Sequence, residues 1–338
     1  MNKRELESVA QALLKSGKGI LAADESTGTI TKRLASVDVI STAETRRNYR
    51  EMLFGTEGAE AFISGVILYD ETIRQADRHG TPFPELLKGK GIIPGIKVDT
   101  GAKEMAGFPG ERVTEGLGGL RGRLAEYREM GARFAKWRAV INIGAGIPTS
   151  ACIKANAHAL ARYAALCQEA GIVPIVEPEV MMTGTNTIRR CEEVTTLTLQ
   201  RVFDELLDQR VLLEGMLLKP NMVLSGKKCS RQAGVQEVAE ATLRCFLRVV
   251  PAAVPGVVFL SGGQSAVKAT QHLNAMNGMG SYPWELSFSY GRALQAPALN
   301  TWRGEDENVP QAQRALYHRA RCNGAARHGR YTGKMEEA

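Results

Sequence analysis

Paired cysteines, zinc-type histidine patterns and long apolar runs are all missing from this chain. The six cysteines in 338 residues (Cys152, Cys167, Cys191, Cys229, Cys245 and Cys322) stand far apart, with no Cys-x-x-Cys pair, and most fall in segments that read as helices. That spacing predicts reduced, structural thiols rather than a disulfide framework. The five histidines (His79, His158, His272, His318 and His328) form neither His-x-His nor His-Glu-x-x-His. An open catalytic zinc site takes about three protein ligands, most often including histidines, so a zinc-dependent mechanism is not expected. No apolar run approaches the roughly 18 to 20 residues a bilayer span needs, and the opening Met-Asn-Lys-Arg-Glu-Leu-Glu starts an amphipathic helix without a signal-type core. The expectation is a cytoplasmic protein with no membrane partner. No Pro- or Ser-rich linker, charge block or low-complexity tract divides the chain.

What is present is a globular composition, 44% hydrophobic and 23% charged, which excludes a disordered tail. Lys+Arg 43 against Asp+Glu 36 leaves a formal charge of +7, suited to phosphorylated or other anionic small ligands. The excess is scattered, so no specific nucleic-acid partner is expected. Length alone allows either two domains or one α/β barrel of roughly 250 residues with insertions.

Short β-branched or apolar runs recur at residues 20–24, 61–69, 91–98, 133–141, 173–180, 215–222, 256–262 and 285–292. Between several of them lie segments with a 3.6-residue apolar period, at 116–131, 149–171, 186–210, 235–250 and 265–277. Eight strand candidates alternating with helices predict one parallel (β/α)8 barrel. An extra helix precedes the first strand, a helical tail follows Arg292, and residues from about 325 to 338 are expected to be flexible.

Lys97, Lys136, Glu177, Lys219 and Ser261 stand at or near successive strand ends, 39, 41, 42 and 42 residues apart, and each interval is one strand–helix unit. In a parallel barrel these ends meet at one mouth, where barrel enzymes keep their active sites. Asp24 and Arg292 join from the first and last strands.

Lys219, in Gly-Met-Leu-Leu-Lys-Pro-Asn-Met, has apolar neighbours that disfavour the ammonium and leave an amine able to attack a carbonyl. The alternative is a lysine that simply meets solvent where its strand ends. Lys136 in Phe-Ala-Lys-Trp-Arg and Lys97 in Gly-Ile-Lys-Val-Asp also interrupt apolar strands. Glu177 and Glu179 flank Pro178 and share a strand face, placed for acid–base work, unless Glu179 is only an ion-pair partner for an arginine such as Arg138. Asp24 reads either as a helix N-cap or as a site carboxylate. Ser26, Thr29, Lys32 and Arg33 read either as a phosphate cradle at a helix start or as a capped, solvated helix.

Leu-Ser-Gly-Gly-Gln264 matches an ATP-binding-cassette signature, but no Gly-x-x-x-x-Gly-Lys-Ser/Thr loop accompanies it. Its glycines instead let backbone N–H groups approach an anion, with Gly291-Arg292 arriving from the eighth strand. Gly144-Ala-Gly-Ile-Pro-Thr149 is read as a loop, with Thr149 or Ser150 capping the next helix.

Seven ordered blocks resemble class I fructose-1,6-bisphosphate aldolase: Gly17–Thr27, Gly95–Asp99, Phe134–Arg138, Gly171–Glu179, Leu217–Val223, Phe259–Ser265 and Phe288–Gln295. The resemblance implies reversible cleavage of fructose 1,6-bisphosphate to dihydroxyacetone phosphate and glyceraldehyde 3-phosphate, without metal or other cofactor, in a cytoplasmic homotetramer. It implies an imine on Lys219, proton transfer by Glu177, a cationic role for Lys136 beside Lys219, and Asp24 at the C4 hydroxyl. Ser261, Gly262, Gly291 and Arg292 then take one phosphate, leaving Ser26, Thr29, Lys32, Arg33, Lys97 and Arg138 to the rest of the substrate. Sedoheptulose bisphosphate is a further substrate to expect, and a transaldolase-like enzyme or a non-catalytic polyanion binder are the rival readings. Thr29 replaces a serine common in animal members. Many members end in a tyrosine on a mobile tail, where this chain reads Gly333-Lys-Met-Glu-Glu-Ala338, so slower turnover or another base is expected.

Overall fold

The computed structural model describes residues 2–337. Eight parallel strands close into a barrel: β1 (Gly19–Ala22), β2 (Ile63–Leu68), β3 (Ile93–Lys97), β4 (Phe134–Ile141), β5 (Val173–Val180), β6 (Leu217–Leu218), β7 (Gly256–Phe259) and β8 (Glu285–Tyr290). Each strand pairs with the next, and β8 closes on β1 through Ile20 opposite Ser289 and Leu21 opposite Tyr290. The expected helices appear as Leu120–Glu129, Ser150–Glu169, Ile188–Asp208, Val235–Val249 and Ala266–Gly278. Among the described residues, no helix is long and apolar enough to cross a membrane.

One segment departs from the sequence reading. Gly101–Glu104 and Arg112–Glu115 form an antiparallel hairpin between β3 and the next helix, closed by Met105 N–H donating to the Glu111 carbonyl at 3.0 Å. Both strands are short and mostly polar, so neither has the apolar alternation that marks a strand in sequence. A second departure is β6, only two residues long where eight were expected. Lys219 N–H still donates to the Val176 carbonyl at 2.8 Å, but Pro220 has no N–H and regular pairing stops there.

The barrel floor is apolar. Ile20, Ala22, Ile67, Phe134, Val173, Ile175, Leu217 and Val258 point inward and pack on Leu6, Ala10 and Leu13 of the N-terminal helix Lys3–Leu13. Those three helix residues are spaced by four and three, so one stripe faces the barrel. Glycines make room for the filling: a Cβ on Gly95 would lie 2.4 Å from the Phe134 ring, and one on Gly65 2.7 Å from Leu13. Arg327 ties this plug to the C-terminal helix Val309–Ala326. Its Nη1 donates to the carbonyls of Leu14, Lys15 and Lys18 at 3.0, 2.7 and 2.7 Å, and its Nη2 pairs with Glu285 at 2.7 Å.

Residues beyond this helix, expected as a flexible tail, make definite contacts. Arg319 holds the Glu336 carboxylate with two bonds of 2.7 Å, and Tyr331 donates its hydroxyl to Glu336 at 2.6 Å and its N–H to Asn274 at 2.8 Å.

Phe134→Ala empties the middle of the floor and is expected to cost about 3–5 kcal/mol, lowering the unfolding midpoint in urea, whereas Ile40→Ala at a site 80% exposed should stay within about 0.5 kcal/mol. Equal midpoints for the two variants would contradict this account of the core.

Candidate active site

The two-residue period of a strand turns the apolar floor into a polar mouth. On β4 the inward series runs Phe134, Lys136, Arg138, and on β5 it runs Val173, Ile175, Glu177, Glu179. Leu217 is followed by Lys219, and Ile20 and Ala22 by Asp24. The outward partners pack elsewhere, as where Trp137 stacks on Tyr163. All fifteen residues singled out from the sequence line one cavity of about 580 Å³ at the C-terminal ends of the strands.

At its base, Glu177 lies between two lysines. Its Oε1 is 3.5 Å from Lys219 Nζ and its Oε2 is 3.3 Å from Lys136 Nζ, while Lys136 Nζ is 2.7 Å from Asp24 Oδ2. Lys219, Glu177 and Lys136 are only 3–4% exposed. Asp24 is therefore not the N-cap: Ser26 takes that position on helix Thr27–Ala35, and its hydroxyl faces Thr29 Oγ1 at 3.1 Å.

The two lysines have opposite electrostatics. Burial depresses the Lys219 amine and the Lys136 charge adds to this; Glu177 opposes them, and the balance lies below the ordinary lysine value. Burial also works against the Lys136 ammonium, but Asp24 and Glu177 outweigh it and hold the group protonated. Asp24 is pushed up by burial and then pulled well below the usual carboxylate range by Lys136 and Lys219. The cluster can hold a neutral amine beside a fixed ammonium, with a carboxylate touching both.

Around this base the cavity wall is cationic. Arg138 pairs with Glu179, the ion pair foreseen as the alternative role for that glutamate. On the other side of the mouth, Ser261 and Gly262 sit on the turn after β7, and Gly291 and Arg292 follow β8. His272 braces that turn from behind: burial and Lys268 lower its imidazole to about 4, so its neutral ring donates from Nδ1 to Gln264 Oε1 at 2.5 Å. Thr149 caps its helix as expected, accepting from Cys152 N–H at 3.2 Å.

Among the lining residues that the sequence reading did not single out are Asp99, Glu25 and Ser289. Asp99, two positions after Lys97 on the same face, meets Lys97 Nζ at 2.9 Å and accepts from Arg138 N–H at 3.2 Å. Glu25 pairs with Arg33 and with buried Arg50 at 2.6 Å, and accepts from Gln295 at 2.9 Å, so it fixes the direction of Arg33. Ser289 lies on β8. Asp99 and Glu25 lay inside matched blocks, but adjacency to Lys97 and Asp24 in sequence did not distinguish a positioning carboxylate from a loop residue. Tyr331 does not line the cavity; its hydroxyl is engaged by Glu336.

Comparison with known proteins agrees with this geometry. The family model described as fructose-bisphosphate aldolase class-I matches residues 5–338. The chain is 56% identical over 334 residues to a probable fructose-bisphosphate aldolase class 1 of Xanthomonas axonopodis pv. citri, covering 98% of this chain and 100% of the relative. It is 54% identical over 318 residues to the cytosolic fructose-bisphosphate aldolase 6 of Arabidopsis thaliana, covering 94% and 88%. A solved structure of fructose-bisphosphate aldolase from Plasmodium falciparum, in complex with TRAP and a small-molecule inhibitor, superimposes with a TM-score of 0.96 at 50% identity, covering 98% of this chain and 96% of that one. The chain belongs to the class I fructose-bisphosphate aldolase family.

Proposed function

We propose that the chain cleaves and forms fructose 1,6-bisphosphate through an imine on Lys219. The observation that carries this reading is the Glu177 carboxylate shared between a lysine biased toward the neutral amine and a lysine held as the ammonium. Lys219 Nζ attacks the C2 ketone, and Glu177 passes protons as the carbinolamine loses water, a contribution worth about 10²- to 10⁴-fold. The iminium then accepts the electron pair of the breaking C3–C4 bond, while Asp24, kept ionised by Lys136, orients the C4 hydroxyl, whose proton passes to the Glu177 carboxylate left by the dehydration step. Lys136 also offsets negative charge developing at the reacting oxygens.

Ser261, Gly262, Gly291 and Arg292 seat the phosphate next to the imine carbon. Ser26, Thr29, Lys32, Arg33 and Lys97 serve the far end, and Arg138, braced by Glu179, lies between. Sedoheptulose 1,7-bisphosphate presents the same ketone and phosphate to Lys219 and is proposed as a second substrate. We place the working enzyme in the cytosol as a homotetramer, for which exposed Leu197, Leu207 and Leu247 supply apolar surface.

Borohydride reduction in the presence of dihydroxyacetone phosphate should mark Lys219 in peptide mapping, and Lys219→Met should lower kcat/KM by at least about 10⁴-fold. An adduct on Lys136 instead would reverse the two roles. The sign of the pH effect follows from the charges. Removing the Lys136 cation lets the Lys219 pKa rise, so in Lys136→Met the alkaline-rising limb of borohydride trapping should move to higher pH. An unmoved or acid-shifted limb would contradict the coupling.

A further inference from the structure

The turn Ser261-Gly-Gly-Gln264 closes with the Gln264 N–H donating to the Ser261 carbonyl at 3.0 Å, and both glycines adopt left-handed angles, φ 58° at Gly262 and 82° at Gly263. A Cβ on Gly263 would lie 2.8 Å from Lys227 Nζ and 2.9 Å from Arg292 Nη2. Two cations from different loops therefore converge on one bare Cα, with less than about 6 Å between them. Neither is paired with a carboxylate among the described residues. Burial and the neighbouring Arg33 already weigh against the charge on Arg292. Unpaired like charges at this distance repel unless an anion comes between them.

The position of Lys227 is set by the same strand end that carries Lys219. Its N–H donates to the Met182 carbonyl at 2.7 Å, and the N–H groups of Gly226 and Lys228 donate to the Asn186 and Gly184 carbonyls at 2.8 and 3.0 Å. These bonds fasten the loop after β6 to the loop after β5. Gly226 permits the contact, since a Cβ there would come 2.3 Å from the Gly184 oxygen.

We propose that Lys227 is a further phosphate-binding residue, joining Arg292 over the phosphate seated on the Ser261–Gly263 turn and strengthening the preference for phosphorylated over unphosphorylated ketones. This rests on the reading of that turn as the phosphate seat. A phosphate ester carries close to two negative charges at neutral pH; Arg292 answers one of them, and the neighbouring Arg33 is already paired with Glu25. A lysine suits the rim, because a point charge on a flexible stem needs no fixed bidentate geometry.

The test compares Lys227→Met and Lys227→Arg with the unaltered enzyme, and Arg292→Met with all three. Lys227→Met should raise KM for fructose 1,6-bisphosphate and the inhibition constant of inorganic phosphate about three- to tenfold, with kcat within about twofold. Lys227→Arg should restore both constants. Borohydride trapping with unphosphorylated dihydroxyacetone should be the same in both Lys227 variants as in the unaltered enzyme. If Lys227→Met leaves phosphate inhibition unchanged while Arg292→Met weakens it, the Lys227 assignment is wrong and the seat stands. If Arg292→Met also leaves it unchanged, the seat itself is misread. Equal losses with phosphorylated and unphosphorylated ketone would likewise overturn the assignment, by showing a general disturbance of the loop.

Discussion

One carboxylate between two lysines, above a dry floor, is the constraint on which the site depends. Lys136, Glu177 and Lys219 are nearly excluded from water, with Asp24 only slightly more exposed beside them, and an unpaired ion there would cost several kcal/mol. The arrangement is sustained because each charge has a neighbour of opposite sign: Asp24 for Lys136, and Glu177 for Lys136 and Lys219. Lys219 has the weaker claim on Glu177, since Lys136 already shares that carboxylate. The proton is therefore held more weakly on Lys219, and the neutral amine that the proposed imine requires follows from competition within a fixed set of charges.

The same logic separates centre from rim. Charges at the base and inner wall each have a partner of opposite sign, Lys97 with Asp99, Arg138 with Glu179, and Arg33 and Arg50 sharing Glu25. Arg292 on the cavity wall and Lys227 beside Gly263 are unmatched among the described residues. A doubly phosphorylated substrate supplies charge at its two ends and a neutral reacting segment in the middle, which is the complement of this distribution. The barrel supplies the rigidity: the floor is filled by Phe134 in the space left by Gly95, and Arg327 ties the N-terminal plug to the C-terminal helix.

Much of this was legible in the sequence because the barrel converts chain distance into spatial adjacency at a constant rate. Lys97, Lys136, Glu177, Lys219 and Ser261 recur once per strand–helix unit, so their convergence follows from the repeat itself. Asp24 stands one residue beyond Ala23, where an N-cap and a site carboxylate look alike, and only the 2.7 Å approach to Lys136 decides between them. The hairpin at the mouth was hidden because its strands are polar on both faces, and β6 because a proline ends its pairing. Asp99 shares a strand face with Lys97, but its bond to the Arg138 N–H, like the contacts of Glu25 with Arg50 and Gln295 and of Lys227 with Gly263, reaches another element, and no periodicity records a contact of that kind. Tyr331 is the last tyrosine of the sequence, and its engagement with Glu336 depends on how the chain turns after the last helix.

The most direct measurement of the central claim is a titration of the lysine side chains, followed by NMR of ¹³C-labelled Cε atoms in the enzyme without substrate. The account predicts that the Lys219 resonance titrates below the ordinary lysine value of about 10.4, while Lys136 stays protonated to the alkaline limit of folding. A Lys219 titration at or above that value, or a Lys136 that loses its proton first, would contradict it.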